Sequence, residues 1–252
     1  MLIGRSRYKS HGGIPHGSTN AFGSNLSIYY KWKANLTLNG DEDQVQQWDD
    51  QSSNNRHAIQ ETELDQAAIT ADKSLLFASS DGDHYDLDAS QVQIASQEGF
   101  VVWVVIKRTA VGANEVVLGN SSGTNRPWIE FRGNDDNLRY YGESGSTTDI
   151  EPGDGTAGNF PAAQKMVVTV EREAGGTGNL NVWKNGVLLA QDSQAANTSE
   201  GDFNQLGARG TTRYLNSTIY DVCVTEGGVA SDLDIERVNA YLCAKHGISQ
   251  TL

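Results

Sequence analysis

Two cysteines in 252 residues are too few for a disulfide framework or a cysteine-rich zinc module. No apolar run approaches the ~20 residues that a membrane-spanning helix needs, so no membrane partner is expected. Basic residues are outnumbered, 19 against 32, for a net charge of −13. Phosphate contacts need a basic surface, so no nucleic-acid partner is expected either. The opening stretch, MLIGRSRYKSHGGI, has basic residues without the apolar segment of ~7–15 residues that a secretory signal carries. There is no phosphate loop and no His-Glu-x-x-His pair. Histidines 11, 16, 57, 84 and 246 show no ligand spacing.

The hydrophobic fraction, 37%, is enough for one core, and all-β chains of this length are often single domains. Charge is uneven. Residues 1–40 hold Arg5, Arg7, Lys9, Lys31 and Lys33 and no acid, whereas the remainder carries 14 basic against 32 acidic residues. Residues 1–27 therefore read as a basic arm, rich in Gly, Ser and Asn and without hydrophobic period. Such an arm gains order by packing on its own acidic body or by docking on a neighbouring subunit of an assembly. Arg5, Arg7 and Lys9 are its candidate contacts.

Residues 28–252 read as short strands between polar turns. Phe100–Ile106 (FVVWVVI) is apolar on both faces, and its second face needs cover from the C-terminal helix or from another copy of the chain. Met166–Glu171 has the same character. Leu180–Trp183 and Val187–Ala190 flank Lys184-Asn185-Gly186, a type I′ hairpin signal. Residues 216–225 alternate, with Tyr220, Val222 and Val224 on one face and Ile219, Asp221, Cys223 and Thr225 on the other. Near the end the period becomes helical. Ser231 and Asp234 suit a capping box, Ile235, Val238 and Leu242 form a stripe, and Gly247 suits the C′ position. A helix over about 232–245 is expected, lying on a sheet. Segment 61–69 suits one or two helical turns. Trp48 and Trp103 are assigned to the core, and Trp183 to either core or surface. Cys223 and Cys243 are read as buried free thiols.

Four segments occur in a telling order: VQQWDDQSSNNRHA from Val45, LFASSDGDHYDL from Leu76, NLNVWKNGVLLA from Asn179, and YLNSTIYDVCV from Tyr214 followed by DIERVNAYLCAKHGI from Asp234. Together they resemble the concanavalin A-like lectin/glucanase superfamily, in the laminin-G-like branch found in bacterial and phage structural proteins. Ala78 and Ser79 stand where the family pattern has a glycine-containing turn, Ser217 where it has Gly, and His246 where it has Tyr. The resemblance implies an all-β fold: a jelly-roll β-sandwich of two antiparallel sheets with a C-terminal covering α-helix.

Such a fold hosts hydrolases, lectins and structural modules, so function must come from the residues. A retaining glucanase needs two carboxylates ~5–5.5 Å apart, and no strand here carries the spaced pair. Sugar binding needs aromatic platforms beside polar groups. Trp128, Glu130, Arg132, Tyr140 and Tyr141 are the candidate set, and the alternative is that these aromatics belong to the core and rim of the sandwich. Asp81, Asp83, Asp86 and Asp88 cluster in one short stretch; oxygen ligands of this kind suit Ca²⁺, and they equally suit turns. These features point to a non-enzymatic virion protein: a head-decoration, fibre or tail-associated component on the particle's outer surface. Its arm would meet capsid or tail proteins, and its sandwich would meet cell-surface polysaccharide. The rival readings are a stand-alone carbohydrate-binding module and a polysaccharide hydrolase or lyase.

Overall fold

The computed structural model describes residues 25–87, 92–95, 97–122, 128–133, 138–141, 147–150, 159–175, 179–193, 201–227 and 232–250. Arg5, Arg7 and Lys9 lie outside the described residues, as do Asp88 and Ser231.

Among the described residues, two large antiparallel sheets carry the fold. The eight-stranded sheet runs in the order Val187–Ser193, Asn179–Lys184, Lys165–Arg172, Phe100–Arg108, Ser217–Glu226, Leu75–Phe77, Ala68–Ile69, and Leu26–Tyr30 also pairs with Ser217–Glu226. The nine-stranded sheet runs Thr147–Ile150, Leu138–Tyr141, Trp128–Phe131, Glu115–Gly119, Gln205–Leu206, Tyr85–Leu87, Ala58–Ile59, Val45–Trp48, Leu36–Leu38. A small ribbon pairs Val92–Ile94 with Gly201–Phe203. This is the expected two-sheet sandwich.

Side-chain alternation along Phe100–Arg108 explains its apolar run. Phe100, Val102, Val104 and Ile106 enter the core between the sheets, with Trp48, Phe131 and Tyr140. Val101, Trp103 and Val105 face the other way, into a second apolar layer. Ile235, Val238, Leu242 and Cys243 of the helix Asp232–His246 complete that layer. Each aliphatic side chain buried there contributes about 1.5–3 kcal/mol. The chain's own helix thus supplies the cover, and no second copy is needed for it. Trp183 is buried in the same layer, and both cysteines are buried free thiols. The helix ends in a Schellman motif: Ile248 N–H donates to Cys243 O at 2.8 Å and Gly247 N–H to Ala244 O at 3.3 Å, with Gly247 at φ +64°. In the hairpin, Asn185 and Gly186 have φ +52° and +84°, as a type I′ turn requires.

Segment 61–69 makes one helical turn, the 3-10 turn Glu63–Asp65, within the expected one or two, and then the strand Ala68–Ile69. One expectation is corrected. The simple alternation over 216–225 fails because the pairing with Phe100–Arg108 shifts between Ile219 and Asp221. This β-bulge leaves Ile219 in the inter-sheet core with Val222 and Val224, and turns Tyr220 toward the helix layer. Asp221 faces the helix too, because its carboxylate accepts hydrogen bonds from Lys245 Nζ at 2.7 and 2.8 Å and from Trp32 N–H at 2.7 Å. His246 Nε2 contacts the same carboxylate, which is fully buried. One bulge therefore places a buried anion under the helix's C-terminal turn.

The Trp48–His57 stretch is a clamp on the first strand. Asp50 accepts from the N–H groups of Tyr29 and Ser52 at 2.8 Å each and of Arg56 at 3.0 Å. Asn54 Nδ2 donates to the carbonyls of Leu26 and Ser27 at 3.0 Å. Asp50 N–H donates to His57 Nδ1 at 3.2 Å, so this histidine is a structural hydrogen-bonder.

Candidate functional site: an arginine-dressed sheet face

Trp128–Phe131 and Leu138–Tyr141 pair with Trp128 opposite Tyr141, Ile129 opposite Tyr140 and Glu130 opposite Arg139. Period two then decides which residues can meet a ligand. Ile129, Phe131, Leu138 and Tyr140 point into the core, and the Tyr140 ring lies 5.2 Å from that of Phe100. Burial pushes the Tyr140 hydroxyl's pKa up, against the pull of Arg172. Tyr140 is thus a core residue. Trp128, Glu130 and Arg139 share the opposite, outward face. Tyr141 is in register beside Trp128, and its side chain lies outside the described residues. Arg132 follows the strand, half-buried.

A tight loop brings two further arginines onto this face. Arg209 and Thr212 exchange backbone hydrogen bonds at 3.2 and 3.1 Å, and Gly210 N–H is tied to Asn120 O and Gln205 Oε1. The loop lays the Arg209 guanidinium 4.0 Å from the Trp128 ring centroid, in cation–π geometry. Arg213 Nη1 donates to both Glu130 oxygens, at 2.9 and 2.7 Å, and Arg139 Nη1 donates to Oε1 at 3.2 Å. Glu130 itself is 0% exposed, and Trp128 is 4% exposed. The face therefore offers guanidinium donors around an occupied carboxylate and a capped indole. Guanidinium forks suit vicinal hydroxyls and carboxylates. Arg139, Arg209 and Arg213 were not among the residues the sequence singled out. Arg213 lies 83 residues from its carboxylate, and no local pattern marks such a pairing.

The aspartate cluster is dispersed. Asp81 is exposed and accepts from Ser80 Oγ at 2.9 Å. Asp83 is buried, and its Oδ2 accepts from Ala78 N–H at 2.7 Å while Oδ1 has no hydrogen-bond partner among the described residues. Asp86 points outward and accepts from Gln205 Nε2 at 3.0 Å. Desolvation pushes the Asp83 pKa up to about 6, aided by the charges of Asp81 and Asp65. Among the described residues, no three His, Cys, Asp or Glu side chains gather as a metal ligand set.

No family model and no curated protein matches the sequence. Solved structures do match in fold. A structure of botulinum neurotoxin type C, described as interacting with two ganglioside molecules, superposes with a TM-score of 0.60 at 14% identity over 89% of this chain and 53% of that one. Domain 4 of the extracellular arabinanase AbnA from Geobacillus stearothermophilus, in complex with arabinotriose, gives 0.57 at 15% identity over 85% of this chain and 98% of that domain. The binding domain of paraclostridial mosquitocidal protein 1 gives 0.55 at 14% identity over 86% and 52%. The chain spans about half the length of the toxin structures and nearly all of the arabinanase domain. At these identities the likeness is one of fold: a two-sheet β-sandwich.

Proposed function

We propose that this chain is a non-catalytic carbohydrate-binding sandwich, displayed on the outer surface of a phage particle as a decoration, fibre or tail-associated protein. The observation that carries the binding part is the face around Trp128. Three guanidinium groups converge there on a lectin-like scaffold; the buried carboxylate of Glu130 is the counter-ion of two, Arg139 and Arg213, and the third, Arg209, lies over Trp128. Glu130 accepts three hydrogen bonds from two arginines, so both of its oxygens are occupied and neither faces a glycosidic oxygen unaccompanied. The arabinanase domain, matched over almost its full length, was solved with a bound trisaccharide, which supports the same use of the fold. The particle part rests on the basic segment holding Arg5, Arg7 and Lys9 ahead of an acidic body, and on the family the motifs resemble.

A glycan array probed with the full chain tests the binding part. Saturable capture of a saccharide, lost on Arg213→Ala without loss of folding, is the expected result. A blank array, or release of reducing ends from the bound glycan, contradicts it. Cross-linking through the 1–27 segment in assembled particles tests the other part. The expected partners are capsid or tail proteins, and finding the chain only as a free monomer contradicts it.

A further inference from the structure

Three turns meet at one end of the sandwich: residues 39–44 between Leu36–Leu38 and Val45–Trp48, the 3-10 turn Glu63–Asp65, and residues 78–84 between Leu75–Phe77 and Tyr85–Leu87. Asn39 joins the first two, its Nδ2 lying 3.4 Å from Asp43 Oδ1 and 3.3 Å from Glu63 Oε1. His84 N–H donates to Asp65 O at 3.1 Å and joins the second to the third. The result is a ridge of carboxylates: Asp41, Asp43, Glu61, Glu63, Asp65 and Asp81. All are exposed except Asp65, which is half-buried. None of the six forms an ion pair among the described residues. No lysine or arginine occurs in residues 34–55, 57–72 or 74–87. Asp83 lies buried among them, and its Oδ1 has no hydrogen-bond partner among the described residues. Desolvation raises its pKa, and the charges of Asp81 and Asp65 raise it further. The shortage of counter-charge is thus felt inside the ridge as well as on it. At the crest Leu64 is 79% exposed, more than any other large hydrophobic side chain among the described residues.

A surface of this kind is complementary to a basic peptide with an apolar end. The chain itself holds one. Residues 1–24 carry Arg5, Arg7 and Lys9 and no acid, and Leu2 and Ile3 stand just ahead of them. The three cations recur at every second residue, so an extended backbone would present them on one face, about 6.7 Å apart. The point where this segment joins the body is far from the ridge. Glu226 N–H donates to Asn25 O at 3.1 Å and Leu26 pairs with Thr225, whereas Ser217 pairs with Phe77, beside the ridge. The ten residues of Ser217–Glu226 separate the two ends, about 30 Å at the rise of a strand. To reach its own ridge, the segment would have to be ordered back along the whole body, at a cost in chain entropy. A second copy stacked end to end presents its ridge where Asn25 stands.

We propose that residues 1–24 of one copy dock on the acidic ridge of the next and link copies head to tail. Arg5, Arg7 and Lys9 meet the ridge carboxylates, and Leu2 and Ile3 pack on Leu64. Such a contact is heterologous, so its repetition makes a ring or a filament. Exposed ion pairs are individually weak and screened by salt, so the link is salt-sensitive and gains strength by repetition within an assembly. The inference rests on the reading of residues 1–27 as an assembly arm and names the arm's partner, another copy of this chain.

The test is sedimentation velocity of the full chain over a concentration series, at about 0.02 M and about 0.5 M salt. The arm variant Arg5→Gln/Arg7→Gln/Lys9→Gln and the ridge variant Asp41→Asn/Glu61→Gln/Glu63→Gln are run alone and mixed, with melting temperatures as the check on folding. The expected result is reversible association of the wild type at low salt, lost at high salt and at least about tenfold weaker in either variant alone. The mixture keeps one good arm and one good ridge, so it should form a heterodimer and grow no further. A wild type that stays monomeric at low salt overturns the inference, and so does association unchanged in either folded variant or a mixture that fails to pair. Cross-linking of the arm to the ridge of its own copy, read in a mixture of isotopically light and heavy chains, overturns it as well. The arm reading survives any of these failures if cross-linking in assembled particles joins residues 1–27 to a different capsid or tail protein.

Discussion

Two buried carboxylates, one on each sheet, are held in contrasting ways. Glu130 lies on the outward face of the nine-stranded sheet, gripped by Arg139 and Arg213, whose side chains remain 15% and 33% exposed. Asp221 lies under the helix, gripped by Lys245 and His246, whose side chains are 16% and 0% exposed. In the first knot the anion is buried and its cations reach water. In the second an imidazole is sealed in with the anion. The first is a surface fitting that shapes a ligand face. The second joins the bulged strand, the helix and the Trp32 loop, so it carries the architecture.

This difference sets the order of the expected effects. Asp221→Ala leaves a sealed imidazole and a half-sealed ammonium without their anion, and should cost about 3–5 kcal/mol in urea unfolding. A loss under ~1 kcal/mol would break the comparison, because the knot would then not hold the helix. Glu130→Gln should cost less, about 1–3 kcal/mol, since both guanidinium groups can turn to solvent. If it proves as damaging as Asp221→Ala, the two knots are equivalent and the distinction falls.

Asp83 sharpens the contrast because, among the described residues, no cation grips it. Its folded pKa, about 6, lies above its ordinary value of 3.8. The folded state then binds the proton more tightly than the unfolded chain. The resulting stabilisation is full below about pH 3.8 and disappears as pH rises through about 6. Asp83→Asn should therefore raise the melting temperature at pH 7.5, where the charged carboxylate is penalised, and change it little at pH 4. A uniform shift across that range would show that Asp83 does not titrate as described.

Much of the fold was legible because its signals are local. Asn185-Gly186 fixes its own turn, Ile235, Val238 and Leu242 fix the helix face, and the doubly apolar Phe100–Ile106 requires cover on both sides. The bulge at Ile219–Asp221 was not legible, since it is a matter of register against Phe100–Arg108, and its one-residue slip changed which face Tyr220 occupies. The site was legible only in part. Trp128 and Glu130 do share a face, but Tyr140 stands opposite Ile129 and shares its inward direction. The arginines that define the face come from a loop remote in sequence, and the Asp81–Asp86 stretch is divided by the same alternation that buries Tyr85.

The most direct measurement of the central claim is a titration of the full chain against the saccharide that an array selects, with reducing ends assayed in the same samples. The account predicts saturable, reversible binding, weakened by Arg213→Ala, and a glycan recovered at its original length. Shortened glycan in the wild-type sample but not in a heat-inactivated control would contradict it.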